Sequence, residues 1–516
     1  MPAPLGPAFR QLSDRLQEIR SRTFSLLWDV VRDRSLTGDV HVDGLLLEVL
    51  FDGASDLATR QLSFPGGGEG LLLWMSTMTD AETVDEVVFG AISAQRPTGN
   101  VAQRVEVATF RQAAGQVLAG RVLVLAPGRP TYALEARGYR QRAISAPVLE
   151  SVVRGPHEGF VEDLGTNISL VRRRLVEPRL RVEAFEVGAL SHTQVRLLYM
   201  EGLTNDALVN EARRRLRSLS TTEALDTSYL EEAIEDDPYS PFSQIDFTER
   251  PDVVVASLTE GRFAILCDGT SNALIAPVTF WSFLQAADDY YQRYWVASFL
   301  RLLRLLLLFL ALLMPALYIA ATTFHQQMLP TKILLSIASQ RANIAFPAIV
   351  EAFLMEVSLE ILREAGLHLP QKLNTSISVV GALVIGQASV SAGLVSWPVV
   401  VIVSITAIAN FALPRWSMAL AVRLLRFALM ILAAIFGLPG LLIGFALILT
   451  HLTSLRSFGV PYLAPVAPLD PQGLEDALVR MPHWVPLPRP RLLAPRWRLR
   501  VRPGHRPRPP AMGGTT

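Results

Sequence analysis

The sequence predicts a protein of two parts, an α/β cytoplasmic region of two related subdomains followed by an all-α polytopic membrane domain. Hydrophobic residues make up 50% of its 516 positions, and the mean hydropathy of +0.31 is high for a soluble protein. The apolar excess is concentrated in residues 302–452, whereas residues up to about 294 mix polar and apolar side chains. An internal repeat in the first part and a charge-free run of small residues in the second complete the prediction.

Changes in composition divide the chain into six segments. They are an N-terminal arm (1–37), a first α/β subdomain (38–150), a linker (151–178), a second α/β subdomain (179–290), a multi-pass transmembrane domain (291–455) and a cytoplasmic Pro/Arg-rich tail (456–516). The first residues lack a basic stretch followed by an apolar core, so we expect no signal peptide. The tail is expected to be a disordered basic extension that lies on anionic lipid.

The first part of the chain contains a repeated pattern. Residues 70–88 and 195–213 each consist of a short apolar strand, a methionine, and a turn whose Asp or Asn can cap a following helix. Residues 120–134 and 261–274 each begin with Gly-Arg, continue as an apolar strand and a tight turn, and return to end in Ala-Leu, which is typical of a β-hairpin. Because the same order occurs twice, we predict two related subdomains that arose by duplication.

The linker leads into a basic helix in which Arg172, Arg173 and Arg174 are consecutive. One interpretation is a solvated connection with a role at an interface. The other is a patch that binds anions or lipid headgroups.

Aromatic and basic residues mark the start of the membrane domain. Tyr290, Tyr291, Tyr294 and Trp295 are followed by arginines, and this positive charge places the α/β region in the cytoplasm by the positive-inside rule. The predicted apolar helices cover residues 302–323, 347–365, 376–396, 397–413 and 427–450. The basic tail favours an even number of crossings, with one segment re-entrant or one further segment, and the number stays open.

Residues 376–396 carry no charge and are long enough to cross a bilayer. On a helix, Ala382, Gly386, Ser389 and Gly393 form one stripe of small side chains that lets another backbone approach closely. Gln387 lies near the middle, where an amide needs a partner helix or water. A packing helix without a pore role and a helix beside an aqueous path are both open on this pattern.

Acidic residues recur on the apolar helix predicted at residues 347–365. Glu356, Glu360 and Glu364 are spaced four apart, and Glu351 lies about one turn earlier. A row of carboxylates cannot face lipid without large cost, so it must meet water, basic partners or a symmetry mate. One hypothesis is local neutralisation, by the side chains Arg363, Lys372 and Arg341. The other is a ring of acids at the mouth of a cation path.

No enzyme site is predicted. The chain contains no HExxH, GxSxG or Walker motif, and GGGEG at residues 66–70 precedes a strand rather than a helix. The single cysteine, Cys267, excludes an intramolecular disulfide and a Cys-pair metal site. We therefore expect no catalytic residue, no metal and no cofactor. The net charge of +1 gives no indication of nucleic-acid binding.

Several strings in the order of the chain are similar to the A-subunit family of spore germinant receptors, the GerA family. They are GPHEGFVEDLGTNISLVRRRL, TERPDVVVASLTEGRFAILCDGT, DDYYQRY, FPAIVEAFLMEVSLEILREAGLHLP, SVVGALVIGQASVSAGLVS, RLLRF and SFGVPYLAPVAP. The resemblance extends from about residue 40 to residue 470 and leaves out the first 35 residues and the basic tail after residue 485.

The resemblance implies a location and partners. Such proteins lie in the inner membrane of the bacterial endospore with the N-terminal domain on the core side, in contact with membrane lipid. They act with a B-type transporter-like subunit, which senses the nutrient, and a C-type lipoprotein subunit. Their A subunits are thought to form homo-oligomeric rings, expected to be pentamers, around a nutrient-gated channel for monovalent cations.

On this resemblance, two sets of residues are candidates for the channel. The candidate pore wall consists of Val379, Val380, Gly381, Val384, Gln387 and Ala388. The candidate acidic vestibule consists of Glu351, Glu356 and Glu360. Val384 or a neighbouring valine is the candidate hydrophobic gate, because an apolar constriction closes by dewetting.

Two other functions remain open. A solute transporter would favour inverted halves with interrupted helices, and residues 302–450 show no such repeat. A non-conducting scaffold that clusters receptor subunits, or an accessory role like that of the stage V sporulation AF protein, shares the same motifs.

Overall fold

Two five-stranded antiparallel sheets form the first part of the molecule. The computed structural model describes residues 28, 30–64, 68–86, 104–138, 146–147, 150–342, 344–368, 386–485, 489 and 493. The first sheet has the strand order β1-β2-β4-β5-β3 and the second has β6-β7-β9-β10-β8, so the two sheets share one topology. The prediction of two related α/β subdomains is confirmed.

The first subdomain places two helices on one face of its sheet. Its elements are α1 (Val40–Leu50), β1 (Leu57–Ser63), β2 (Glu69–Met75), β3 (Val105–Glu106), α2 (Phe110–Leu118), β4 (Arg121–Leu125) and β5 (Tyr132–Glu135). Leu47 of α1 and Ala113 of α2 pack with Leu123 in one core cluster. On the opposite face, Leu72, Val122 and Val124 form a smaller cluster.

The second subdomain is covered by helices on both faces. Its elements are α3 (Leu164–Arg174), β6 (Leu180–Val187), β7 (Thr193–Met200), α4 (Asp206–Ser218), α5 (Thr227–Ile234), β8 (Asp246–Thr248), α6 (Pro251–Glu260), β9 (Phe263–Cys267) and β10 (Ala273–Ala276). Helices α3 and α6 contribute to the core that continues into the apolar helices. Helices α4 and α5 cover the other face.

Helices α1 and α3 show how closely the repeat is preserved. Each has 11 residues and is capped by an aspartate, Asp39 in α1 and Asp163 in α3. The buried residue four positions later binds the loop before the helix. Asp43 accepts from the Thr37 and Gly38 amides at 2.9 Å, and Asn167 accepts from the Val161 amide at 2.8 Å.

The segment predicted as a linker belongs to the second subdomain. Arg172 of α3 is fully buried and donates to both carboxylate oxygens of Asp56, at 2.5 and 2.6 Å. Arg174 pairs with Glu158 at 2.7 Å. The interpretation of these arginines as a solvated connection or a lipid patch is therefore wrong for Arg172, which instead joins the two subdomains. The three consecutive arginines in the sequence gave no indication that Arg172 pairs with an acid 116 positions away.

Apolar helices make up the second part. After a 3₁₀ turn (Phe280–Leu284) and the short α7 (Asp288–Tyr291), the chain forms α8 (Tyr294–Thr323), a 3₁₀ turn (Gln326–Met328), α9 (Thr331–Arg341), α10 (Ala348–His368), α11 (Trp397–Phe411) and α12 (Trp416–Ser454). Two of these, α8 and α12, are long and apolar enough to cross a membrane, and α11 is a shorter apolar helix.

Helix α12 consists of two arms joined at Gly437, whose φ of +64° and ψ of −142° interrupt the helix. A Cβ at this position would lie 2.8 Å from His325 Cε1 and 3.0 Å from Phe324 Cβ, so the turn packs against the end of α8. Glycine is required here by both the left-handed φ and the close approach. Both ends of α12 return to the second subdomain, through Arg415, which pairs with Asp246 at 3.2 Å, and through His451, which bonds Ser240 at 2.9 Å.

The beginning of the predicted tail is ordered and packs on the second subdomain. It forms β11 (Arg456–Ser457), β12 (Val460–Pro461) and α13 (Pro471–Ala477). Tyr462 is 1% exposed, packs on Phe280 and Phe283, and donates to the Ser243 carbonyl at 2.9 Å. The expectation of a disordered extension is thus wrong for residues 456–485. Because this segment and the start of α8 both contact the second subdomain, the helical region begins and ends on the same side.

Candidate functional site

Charged side chains meet between the apolar helices. We call them the charged cluster: Glu351, Glu356, Glu360, Arg341, Arg363, Arg423 and Arg426. The three carboxylates lie on α10, and the arginines come from α9, from α10 itself and from the first arm of α12. The four-to-five-residue spacing of the acids places them along one side of α10.

The centre of the charged cluster is the pair Glu356 and Arg426. Arg426 Nη1 donates to Glu356 Oε2 at 2.6 Å, and the two side chains are only 1% and 3% exposed. One turn further along α10, Glu360 accepts from Arg423 at 2.9 Å and from Arg363 at 3.0 Å. Since residue numbers rise along α10 as they fall along α12, the two helices run antiparallel where the charges meet.

Glu351 fixes the other end of the charged cluster. Its Oε2 accepts from the Ser396 amide at 2.9 Å and the Ser396 hydroxyl at 2.7 Å, and its Oε1 accepts from Arg341 at 3.2 Å. Ser396 is the N-cap of α11. A carboxylate that receives backbone and arginine donors at a helix N-terminus is stabilised by the helix dipole as well as by the ion pair. This residue thereby ties α9, α10 and α11 together.

These contacts favour neutralisation within the chain for the acidic stripe. The predicted partners Arg341 and Arg363 do contact the acids, while Lys372 lies outside the described residues. Arg423 and Arg426 were missed, because they are more than 60 positions away from their partners. Their signal was two arginines three residues apart in an otherwise apolar helix, which ought to face a counter-charge.

The acidic-vestibule prediction needs carboxylates that face water. Glu351 and Glu356 are 0% and 1% exposed in the chain, so the structure gives this role no support for them. The side chain of Glu360 is 30% exposed, and for this residue the vestibule stays a prediction. The physical reason for the difference is the approach of α11 and α12, which the acid spacing on α10 alone did not reveal.

The candidate pore helix is described only from Gly386 onwards. Val379, Val380, Gly381, Ala382 and Val384 lie outside the described residues. Residues 386–391 are helical, with Gly386 and Ser389 buried and Gln387 and Ala388 exposed. Gly386 and Ser389 thus face the interior of the molecule, and the amide of Gln387 faces outward.

Gly393 does not continue the small-residue stripe. It has φ +66° and follows the helix end. The Leu394 amide bonds the Ser389 carbonyl at 2.9 Å and the Gly393 amide bonds the Val390 carbonyl at 3.0 Å, which is the Schellman pattern with glycine at its left-handed position. The prediction of one helix through residue 396 is wrong at this end. Gly393 terminates the helix so that Ser396 can cap α11 beside Glu351.

Comparison with known proteins assigns the family. Residues 46–492 match the family described as Bacillus/Clostridium GerA spore germination protein. The chain is 45% identical over 400 residues to spore germination protein KA of Bacillus subtilis (strain 168), covering 77% of this chain and 74% of that protein. It is 39% identical over 472 residues to the uncharacterized membrane protein YfkQ of the same organism, covering 89% of this chain and 92% of that protein. The chain therefore belongs to the GerA family of spore germination proteins.

A solved structure also matches part of the chain. The N-terminal domain of the A subunit of the Bacillus megaterium spore germinant receptor GerK3 is 25% identical, with a TM-score of 0.37, over 48% of this chain and 97% of that chain. The family match and the curated relatives, independently of this solved structure, confirm the resemblance found in the sequence at the level of the family.

Proposed function

We propose that this chain is an A-type subunit of a nutrient germinant receptor and forms an oligomeric, nutrient-gated channel for monovalent cations. The family membership supports a role in spore germination. The observation that carries the finer proposal is the combination of the charged cluster with Gln387 on the outward side of its helix. The role is non-enzymatic, and metal or cofactor chemistry has no part in it.

Ionisable groups between apolar helices are expensive and are retained where they serve ion movement or a conformational switch. In the charged cluster Glu356 and Arg426 neutralise each other, so the pair can hold α10 and α12 in one arrangement without a net charge. Separation of the pair would leave both charges without a partner between apolar helices, at a large cost in free energy. The pair is therefore suited to act as a switch between two discrete states of the helical region.

Gln387 supplies the argument for an assembly. An exposed amide on an apolar helix needs water or a neighbouring subunit. In a ring of subunits, the outward side of this helix would face the central path, with the buried side, through Gly386 and Ser389, held against its own subunit. The ring is expected to be a pentamer, and Val384, three positions before Gln387 in the sequence, is the proposed gate.

The proposed location rests on the apolar helices and on the side of the molecule where they begin and end. We propose that the apolar helices span the inner membrane of the endospore and that the α/β subdomains face the cytoplasm. The proposal of an even number of crossings with a cytoplasmic C-terminal segment is supported by the start of α8 and the end of α12, which lie on one side of the helical region. The partners proposed are a B-type transporter-like subunit that binds the nutrient and a C-type lipoprotein subunit.

The test is potassium flux from liposomes that contain the purified full-length chain. Val384→Ala is expected to raise flux without nutrient by about tenfold, which corresponds to a barrier lower by about 1.4 kcal/mol. Leu306→Ala is the matched control, because Leu306 is an exposed apolar residue of α8 whose truncation leaves a pore wall unchanged. Equal, measurable flux from the two variants would contradict the gate.

A silent wild type and a silent variant lead to a second measurement. Native mass spectrometry establishes whether rings are present, and co-reconstitution with the B-type subunit then adds the nutrient sensor. Nutrient-dependent flux from the pair supports the channel. Silence of the pair contradicts it and favours the non-conducting scaffold.

A further inference from the structure

Helix α12 begins at an arginine that is buried against the second subdomain. Arg415 is the N-cap residue of α12 and is 9% exposed. Its side chain has no acceptor and cannot cap the helix, and its positive charge lies at the positive end of the helix dipole. An arginine at this position is therefore unfavourable for the helix itself. Its contacts with other parts of the chain have to account for it.

Two acids hold the Arg415 guanidinium. Its Nη1 donates to Glu150 Oε1, and its Nη2 pairs with Asp246 of β8 at 3.2 Å. Glu150 belongs to the connecting segment, residues 150–163, which leads from the first subdomain into α3, and its side chain is 15% exposed. The connecting segment, the edge strand of the second sheet and α12 thus meet at one guanidinium. We call Arg415, Glu150 and Asp246 the joint.

The connecting segment is itself fixed to the second subdomain. Glu150 Oε2 accepts from the Thr248 hydroxyl, and the Glu150 carbonyl accepts from Arg250 Nη1 at 3.2 Å. Arg250 is 0% exposed and also donates to the Pro156 carbonyl at 3.0 Å. Because both its side chain and its backbone are held, Glu150 moves together with this part of the α/β region. A shift of that region therefore displaces the acids that hold Arg415.

Helix α12 leads directly from the joint to the charged cluster. Arg423 and Arg426 follow Arg415 by eight and eleven residues, which is about 12 and 17 Å along an α-helix. The non-helical residue of α12, Gly437, comes after both of them. Helices shift as units by about 1–2 Å in switching proteins. A shift of that size at the joint is large compared with the 2.6 Å hydrogen bond between Arg426 and Glu356.

We propose that Arg415 and Glu150 are positioning residues, which couple the position of the α/β subdomains to the charged cluster. Two carboxylates resist withdrawal of the guanidinium, since a separated buried pair leaves charges uncompensated. Helix α12 therefore follows the α/β region, and Glu356 and Glu360 keep or lose their arginines accordingly. The inference deepens the proposed function by naming what controls its two states, and it rests on that function only for ion flux.

Hydrogen exchange, followed by mass spectrometry on the full-length chain in detergent, tests the coupling without a flux measurement. Glu150→Gln removes one charge of the joint and keeps the size of the side chain. Amide exchange in α10 is expected to rise at least about fivefold, the lower end of coupling between two sites. Glu150→Asp keeps the charge and is expected to stay within about twofold of the wild type.

The matched control is Glu158→Gln. Glu158 lies in the same connecting segment and also pairs with an arginine, but its partner at 2.7 Å is Arg174 of α3. Exchange in α10 is expected to be unchanged in this variant. If Glu150→Gln does not fold, Arg415→Lys replaces it, because lysine keeps the charge and loses the fixed fork that holds two carboxylates. The same rise in α10 is expected from it.

Different outcomes separate this inference from the proposed function. Exchange that rises only in residues 246–250 and 415–420 would overturn the coupling and make the joint a local structural contact. A rise in α10 of equal size from Glu158→Gln would also overturn it, because it would reflect general loosening. A selective rise in α10 with no flux from any reconstituted assembly supports the coupling and contradicts the channel. Nutrient-dependent flux that Glu150→Gln leaves unchanged overturns the coupling and leaves the channel standing.

Discussion

The two α/β subdomains have one topology and different surroundings. In the second, α3 is buried between its own sheet, the first subdomain and the core shared with the apolar helices. In the first, the equivalent α1 packs on its sheet with Leu47 and Leu50 and leaves Leu45 in solvent. The elements of the repeat are therefore set by local sequence, whereas the outer faces of these elements have diverged according to what covers them.

The position of Arg172 and Glu48 shows this divergence most directly. The same helical position carries a base that is buried in one subdomain and an acid that is exposed in the other. A buried charge has to be paired, since an uncompensated one costs several kcal/mol, while an exposed charge is almost free to change. The comparison makes quantitative predictions for both positions.

The largest effect is expected from Arg172→Met. It removes the partner of Asp56 and leaves that carboxylate buried, so the free energy of unfolding should fall by about 3–5 kcal/mol. Measured as the midpoint of thermal unfolding, followed by tryptophan fluorescence on monomeric full-length protein in detergent, this corresponds to a drop of about 6–15 °C.

Glu48→Met is the positional control for that measurement. It changes an exposed residue at the equivalent helical position, and the expected change is within about 0.5 kcal/mol. Comparable losses in the free energy of unfolding from Arg172→Met and Glu48→Met would show that α3 and α1 are equally buried. That result would contradict the difference between the two subdomains. A double variant, Asp56→Leu with Arg172→Met, should recover much of the loss because no charge is left without a partner.

A smaller effect concerns pH and the part of the second subdomain that carries the C-terminal segment. Burial raises the pKa of Glu231 in α5 to about 7, helped by the nearby Glu235 and Asp226 and opposed by the Ser243 hydroxyl. Ser243 also accepts from Tyr462 of the C-terminal segment through its carbonyl. A raised carboxyl pKa means that the folded state holds a proton that the unfolded state releases near pH 4.5, so this contribution to stability is complete below that pH.

This contribution to the free energy of unfolding is lost as the pH rises from about 4.5 to about 7, the folded-state pKa of Glu231. Between pH 5 and pH 7 the free energy of unfolding should fall by about 2 kcal/mol more in the wild type than in Glu231→Gln, which cannot titrate. Glu232→Gln, an exposed neighbour on α5, should retain the wild-type dependence. Parallel pH profiles for wild type and Glu231→Gln would show that the carboxylate is solvated and that the C-terminal segment does not close over α5.

The topology of the subdomains could be predicted because its signals are local. The strand–turn–helix and Gly-Arg hairpin patterns recur, and each turn or cap is decided within a few residues. The pairing of Arg172 with Asp56 and of Arg426 with Glu356 could not be predicted from the sequence. Tertiary packing brings these partners together across 116 and 70 positions. The order of the tail up to residue 485 was missed for the same reason, because Tyr462 is anchored by residues of the second subdomain.

The candidate site was predicted in part. The acids of α10 were recognised because charge in an apolar helix is unusual by itself. Gly393 was assigned to packing since a period of three or four does not distinguish a packing glycine from one that ends a helix. A glycine followed within a few residues by Ser and Pro, as at Gly393, Ser396 and Pro398, is the signal of a helix end and a new helix start that should have been weighed.

The smallest predicted effect concerns the aspartate caps of α1 and α3, which the two subdomains share. Asp39 accepts from the His41 amide at 2.9 Å, and Asp163 accepts from the Thr166 amide at 2.7 Å. Asp39→Ala and Asp163→Ala should each lower the free energy of unfolding by about 1 kcal/mol, while the matching Asn variants lose only a few tenths because Asn caps as well as Asp. If the alanine variants differ by more than about 1 kcal/mol, the surroundings of α3 act even on its cap. Equal losses would instead mean that the helix start is a local property which duplication copied unchanged, and that divergence has been confined to the outer faces.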